Sequence, residues 1–401
     1  MSLRPINTYI QSMQRSGIRR IMDSATSPDI LHLEVGQPDF PTPEPAIRAA
    51  CEAASEKKGL YTRYTPNMGY LSLRRSLAKK LKEDNNIITT ENQILVTPGA
   101  NYGIMIVFSV LLNKGDEVLV PDPGYVNYAH LTPQYGGVVA RYPLHEHDGF
   151  VHRIEAIAEN ITPKTKVIVH NSPSNPTGSV CSELYVKKLV EIARSHNLYI
   201  LSDETYEHIV FDGKHFSPAQ YDTDGRVVSI FSFSKSYAMT GWRVGYIVSN
   251  ELISGALVKQ QELYVSCAPS ISQIAAEAAL GVDHQHINKM VEHYRRRRDI
   301  AMDILKKHRL HSYTPQGAFY VLIDISSTGM DSDTFADSLL SDQRVALAPG
   351  ATFGPTAGKY VRVSLAADDK VVADGLEKVC NFIKANSKKS NKPFSKQGEA
   401  G

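Results

Sequence analysis

Cysteine is scarce: the 401-residue chain has four, Cys51, Cys181, Cys267 and Cys380, far apart and without a CxxC pair. That spacing fits neither a finger-type zinc site nor the dense disulfide framework of a small secreted domain. It reads as buried free thiols in a reducing, cytoplasmic compartment, with no metal expected. A long apolar run is missing too. The longest stretch, 104–112, is interrupted by Ser109 and falls far short of the roughly eighteen residues that a membrane span needs. The first twenty residues carry basic side chains but no continuous apolar centre and no small-residue cleavage site, which speaks against export.

An excess of charge is equally absent. Lys and Arg number 44 against 42 Asp and Glu, and the surplus is local. Residues 384–401 hold five Lys and one Glu, so a nucleic-acid surface built on bulk charge is excluded. Gly at 26, Pro at 21 and 42% apolar residues exclude a collagen-like repeat and general disorder. Only 385–401, rich in Lys, Ser, Asn and Gly, is expected to be a flexible tail, a solubilising appendage.

What is present is a rhythm. Short runs rich in β-branched residues alternate with longer stretches of helical period, the pattern of an α/β fold with a mainly parallel sheet. Strands are expected at 93–96, 117–120, 137–141, 166–170, 199–202, 227–231 and 243–248, with helices at 69–83, 100–112, 182–195 and 272–280. A long helix follows at 291–307, whose run Arg295-Arg296-Arg297-Arg298 reads as a solvated face. Strands at 319–323 and 360–364 with helices at 332–340 and 370–384 then suggest a smaller α+β domain. The expected division is 1–45 joining the small domain, 46–290 as a large cofactor-binding domain, 291–384 as the small domain and 385–401 as tail. Length alone suggests two or three domains, at roughly 150 residues each.

Open parallel sheets bind ligands at the carboxyl ends of their strands. There the sequence places Asn175 in a Pro-rich turn, Asp203 with Tyr206 three residues on, and Ser232-Phe233-Ser234-Lys235 followed by Arg243. Thr97-Pro98-Gly99-Ala100-Asn101 turns from strand to helix, where free N–H groups suit a phosphate. Taken singly, Asp203 is a helix cap, Gly99-Ala100 an ordinary turn, Lys235 a surface lysine, and Asn175 a turn residue bonding its own backbone. Together they supply an amine, a carboxylate for a pyridinium nitrogen, a phenol and amide for a ring oxygen, and phosphate donors. That set points to pyridoxal phosphate. Arg362, in the strand-like 361–365, is the candidate for a planar carboxylate, since two parallel N–H bonds fix its orientation.

The chain resembles the fold-type I, class I and II aminotransferases, the group of the aspartate, alanine, aromatic and kynurenine enzymes. The resemblance spans nearly the whole chain. It rests on Leu33-Glu34-Val35-Gly36-Gln37-Pro38-Asp39-Phe40, on Tyr64-Thr65-Pro66 ahead of Gly69 and Leu73-Arg74, and on 171–178, 202–206, 232–245 and 361–365. It implies a large domain with a mostly parallel seven-stranded sheet flanked by helices, and a smaller α+β domain. Lys235 would be the Schiff-base lysine and proton carrier, Asp203 the partner of the pyridinium nitrogen, and Tyr206 and Asn175 the donors to the ring oxygen. Tyr125 would stack on the ring, and Gly99 would make the tight turn. The phosphate would be held by the Ala100 and Asn101 amides, Ser232, Arg243 and Tyr64 of a partner subunit, which implies a homodimer. Gly36 and Asn175 would lie against substrate, and Arg362 would clamp its α-carboxylate.

Aspartate-selective members carry Trp where this chain has Tyr125 and Lys where it has Asn101. The departures imply a neutral or aromatic L-amino acid as donor, with a 2-oxo acid such as 2-oxoglutarate as acceptor. The same residues serve elimination, replacement and cyclisation, because all begin with loss of the Cα proton. A carbon–sulfur lyase or an S-adenosylmethionine-using, 1-aminocyclopropane-1-carboxylate-synthase-like enzyme is therefore the alternative. A non-enzymatic pyridoxal-phosphate-binding regulator is more remote, since the Gly36 motif leaves no room for a winged helix ahead of it. His145-Glu146-His147-Asp148 reads as a polar loop and Asn160-Ile161-Thr162 as a silent glycosylation sequon.

Overall fold

The structure, a computed structural model, describes residues 4–387. After Leu31–His32 (β1) come Ile94–Thr97 (β2), Glu117–Asp122 (β3), Val138–Pro143 (β4), Thr165–Asn171 (β5), Tyr199–Asp203 (β6), Val227–Ser232 (β7) and Gly245–Val248 (β8). The last seven form one sheet in the order β2-β8-β7-β6-β5-β3-β4, parallel except for β8, which is antiparallel to both neighbours. All seven expected strands are there, within a few residues of their expected ends.

Their side chains explain the sheet. Alternate residues of a strand face opposite ways, and both faces are covered. Val167 and Val169 join one core with Ile104, Val107 and Phe108 of the helix Ala100–Leu111, while Ile168 joins another with Val186 and Leu189 of the helix Glu183–Ser195. A strand buried on both faces reads as a mostly apolar run, as β2 (ILVT) and β7 (VVSIFS) do.

Tyr320–Asp324 (β9), Val345–Ala346 (β10), Ala348–Pro349 (β11) and Tyr360–Ser364 (β12) build two smaller sheets. One is antiparallel in the order β11-β12-β9, and in the other β1 pairs in parallel with β10. The N-terminal strand is thus stitched to the chain's far end. Helices His284–His308, Ser332–Gln343 and Asp369–Asn386 accompany them. Most of the expected tail, 388–401, lies outside the described residues. No helix among the described residues is long and apolar enough to cross a membrane.

Two sequence expectations need correction. Arg297 and Arg298 are buried, not solvated. Arg297 grips both carboxylate oxygens of Asp39, at 2.8 and 2.6 Å, and also reaches Asp369, while Arg298 pairs with Asp212 and Asp299. Except for Asp299, the partners lie far away in sequence. Nor are all the free thiols buried: Cys51 is exposed and Cys267 half-buried.

Behind β6, Lys80 Nζ meets Glu207 Oε1 at 2.5 Å and Asn85 Nδ2 meets the other oxygen at 2.6 Å, all buried. Burial pushes the Glu207 carboxyl up, but Lys80, then His208 and the hydrogen bonds from Lys80 and Asn85, outweigh it and hold it at about 2. Removing one partner of such a pair leaves the other charge stranded, at about 3 to 5 kcal/mol. Lys80→Met should therefore lower unfolding stability by that order in urea titrations. The depressed carboxyl contributes fully above its ordinary value of 4.5, and the contribution is lost as pH falls from there toward about 2. Wild type should weaken across that window more than Lys80→Met does; equal urea midpoints at neutral pH would contradict the assignment.

Candidate active site

β7 ends in the short helix Phe233–Ser236, capped by Ser232, whose hydroxyl accepts from the Ser234 N–H at 3.1 Å. This places Lys235 at the carboxyl end of the sheet. Its Nζ donates to the Gly36 carbonyl. Burial, reinforced by Arg362 and Arg243 and opposed by Asp203, lowers the amine to about 8, so a usable fraction is unprotonated near neutral pH. Gly36 also lets Tyr320 come close, because any Cβ there would overlap the Tyr320 hydroxyl.

Asp203 ends β6, level with Asn171 of β5. Its Oδ1 accepts from the Thr205 N–H and hydroxyl at 3.1 and 2.6 Å, and its Oδ2 accepts from the Tyr128 hydroxyl at 2.7 Å. All are neutral donors, and burial raises the carboxyl. The group has hydrogen bonds but no counter-charge in ion-pair contact among the described residues, which leaves room for a cationic N–H.

Arg362 lies on β12 opposite Leu322, with Tyr320 on the same face. The guanidinium is 2% exposed and sandwiched 4.2 Å from the Tyr320 ring and 4.8 Å from that of Phe353. Nη1 donates to Asn175 Oδ1 at 3.1 Å, Nη2 to the Glu34 carbonyl at 2.5 Å, and Nε has no partner. Burial lowers its pKa. No carboxylate among the described residues forms an ion pair with Arg362, Arg243 or Lys235. Since Asn175 accepts through Oδ1, its amide nitrogen is left to donate. The Asn175 backbone is held in turn by Asn171 Oδ1 at 2.8 Å. Tyr206 shares a hydrogen bond of 2.9 Å with Tyr320.

Gly99 precedes the helix Ala100–Leu111 with φ +89°, and a Cβ on it would come within 2.5 Å of Arg243 Nη2. The first N–H groups of that helix have no intrahelical acceptor. They sit beside a guanidinium that is itself anchored to the Thr240 carbonyl at 2.8 Å. Asn127 links the side chains at the helix start, donating to Asn101 Oδ1 at 2.5 Å and to the Tyr125 hydroxyl at 3.1 Å. Burial, then Asp203 and Tyr320, push the Tyr125 phenol up to about 12.

The structure therefore gathers Gly36, Gly99, Ala100, Asn101, Tyr125, Asn175, Asp203, Tyr206, Ser232, Lys235, Arg243 and Arg362 along one edge of the sheet. Tyr64 is the exception: it is 88% exposed and takes no part in this chain's own site. The sequence reading missed Tyr128, Thr205, Asn127 and Tyr320. Tyr128 was within reach, one helical turn after Tyr125, whereas nothing in the local pattern marks Tyr320. Beside the site, a cavity of about 430 Å³ lies between Gln37, Pro38 and Phe40 on one side and Ala238, Thr240 and Trp242 on the other, with no charged residue in its lining.

A half-buried amine of lowered pKa, a buried carboxylate without a cation, and a helix N-terminus beside an arginine complement the aldehyde, ring nitrogen and phosphate of pyridoxal phosphate. The residues fit the cofactor. Residues 28–379 match the family model "Aminotransferase class I and II". A probable aspartate aminotransferase of Methanocaldococcus jannaschii is 39% identical over 94% of this chain and 99% of its own length. An aromatic-amino-acid aminotransferase of Thermococcus litoralis is 34% identical over 94% and 98%. The solved aspartate aminotransferase of Thermus thermophilus with maleate superposes with a TM-score of 0.90, at 33% identity over 95% of this chain and all of that one. The chain belongs to the class I and II aminotransferases and is a pyridoxal-phosphate-dependent amino-acid transaminase.

Proposed function

We propose that this transaminase moves the amino group of a neutral or aromatic L-amino acid to a 2-oxo acid such as 2-oxoglutarate, and that the gathered residues carry the reaction. The observation behind it is the arrangement of three charged groups without ion-pair partners, Asp203 and Arg362 buried and Lys235 half-buried. Bound pyridoxal phosphate supplies a carbon that takes up the amino group and a ring that accepts electrons when the Cα–H bond breaks. Arg362 holds the substrate α-carboxylate in a bidentate grip, so that Cα comes to lie beside Lys235. The Lys235 amine would then carry the proton that leaves Cα. Asp203 keeps a proton on the ring nitrogen, while Tyr128 and Thr205 fix its two oxygens. Asn175 and Tyr206 would donate to the ring oxygen, Tyr125 would lie against the ring, and Ser232, Arg243 and the Gly99 turn with the Ala100 and Asn101 amides would hold the phosphate.

The uncharged lining of the cavity beside Gly36 supports a neutral or aromatic side chain, as does Asn101 in place of a cation. The elimination and cyclisation alternative finds no support in relatives named as transaminases. We further propose a cytoplasmic homodimer, supported by four unpaired cysteines and by Tyr64, which stands clear of its own site and would reach the partner's. The two-part division at 46–290 and 291–384, with 1–45 joining the latter, is supported by the pairing of β1 with β10.

Lys235→Ala should abolish turnover with an unchanged circular dichroism spectrum. Asp203→Ala should cut kcat at least a hundredfold, about 3 kcal/mol; full activity in the Lys235 variant would sink the mechanism. Asn101→Lys should raise kcat/KM for aspartate about tenfold, the worth of one charged hydrogen bond, with cofactor affinity unchanged, and aspartate kinetics like those of wild type would count against the specificity reading. Tyr64→Ala should weaken phosphate retention. Mixing it with Lys235→Ala under exchange conditions should restore activity, because one site of each hybrid is then intact; no recovery in verified hybrids would place Tyr64 outside the partner's site.

A further inference from the structure

Beneath the turn that presents Asn175, three side chains converge that have no part in transamination. His152, His170 and Cys181 are 3%, 0% and 2% exposed, and one ligand atom of each lies within 4.8 Å of the others. His170 is on β5, next to Asn171. Cys181 follows the 171–178 turn, and its N–H donates to the Ser172 hydroxyl at 3.0 Å. His152 precedes the helix Ile154–Asn160.

The tautomer of His152 follows from its partners. The Tyr142 hydroxyl donates its only proton to the Val169 carbonyl at 3.0 Å, so at 3.1 Å it accepts from His152 Nδ1. Nε2 then carries a lone pair, buried and without a hydrogen bond, and neither nitrogen of His170 has a partner. An unsatisfied buried polar atom costs about 1–3 kcal/mol. Ligating histidines commonly donate the remote ring N–H to a fixed oxygen, which turns the other nitrogen toward a metal. His152 is already set that way.

We infer that His152 Nε2, His170 and the Cys181 sulfur form a binding site for a borderline-soft divalent cation, with Zn²⁺ the expected occupant. Two imidazoles and a thiolate suit zinc, and the absence of a carboxylate from the set disfavours Mg²⁺ and Ca²⁺. Zinc bonds of about 2.0–2.3 Å put tetrahedral ligand atoms about 3.5 Å apart, so small side-chain rotations close the site. Both imidazoles bind neutral, and the Cys181 thiol passes its proton to buffer as sulfur coordinates. The ion would tie the end of β5 to both flanks of the turn. Sequence spacing hides the site, because its ligands come from three separate segments.

Holoenzyme grown in zinc-supplemented medium, gel-filtered and dialysed against chelator, should keep about one zinc per chain by mass spectrometry of the metal. Cys181→Ala and His170→Gln should lose it while remaining folded and yellow. Zinc-edge X-ray absorption of the wild type should show one sulfur and two imidazole scatterers, which decides the matter should the variants not fold. No zinc in the wild type, even after refolding with it, would overturn the site and leave internal water as the partner of these lone pairs. Zinc held equally by the folded variants, or bound by oxygen and nitrogen alone, would also overturn it.

Discussion

Arg362 is kept from water between two aromatic rings, and the partners it has are neutral oxygens. Taking a guanidinium out of water is costly unless something compensates, and a carbonyl and an amide do so only in part. Much of the site can be understood as what keeps that charge in place. Tyr320 supplies one ring of the sandwich and, through its hydroxyl, the position of Tyr206. Asn175 gives up its oxygen to the guanidinium and in consequence keeps only its amide N–H groups to offer a ligand. In the proposed reading, a substrate carboxylate would complete what the fold leaves incomplete.

The sheet makes this possible by bringing strand ends together. β5, β6 and β7 deliver Asn171, Asp203 and Ser232 at neighbouring positions along one edge, and the link from β7 to β8 is short because β8 turns back antiparallel. Lys235 sits in that link, on a single turn of helix. Arg362 arrives from a different sheet, and the 34–36 segment closes the gap, with Glu34 meeting Arg362 and Gly36 meeting Lys235. The Arg297–Asp39 grip fixes the same segment from behind.

Local sequence carried the strands well, since both faces of the sheet are covered and the runs of β5 and β7 are rich in apolar, β-branched residues. The polar residues that end those runs were legible for the same reason: a charge directly after a buried strand has few places to go. Contacts between distant segments were not legible. Tyr320 belongs to the site only because β9 and β12 pair in one register. The burial of Arg297 and Arg298 depends on Asp39, Asp369 and Asp212, and no window around 295–298 contains Asp39, Asp369 or Asp212. Tyr64 shows the limit from the other side: its motif named it, yet a single chain leaves it in solvent.

The carbonyls of Glu34 and Gly36 act as a fixed internal solvent. Each holds a cation of the site in the geometry that a water molecule would otherwise provide, but without a water's freedom to reorient or diffuse away. If Arg362 receives a carboxylate as proposed, that carboxylate would meet a guanidinium already dehydrated and would exchange one oxygen for another with little rearrangement. Most of the desolvation that ligand recognition usually demands is thus completed during folding, which would make the backbone of an otherwise inconspicuous loop a determinant of how readily the proposed site accepts its substrate.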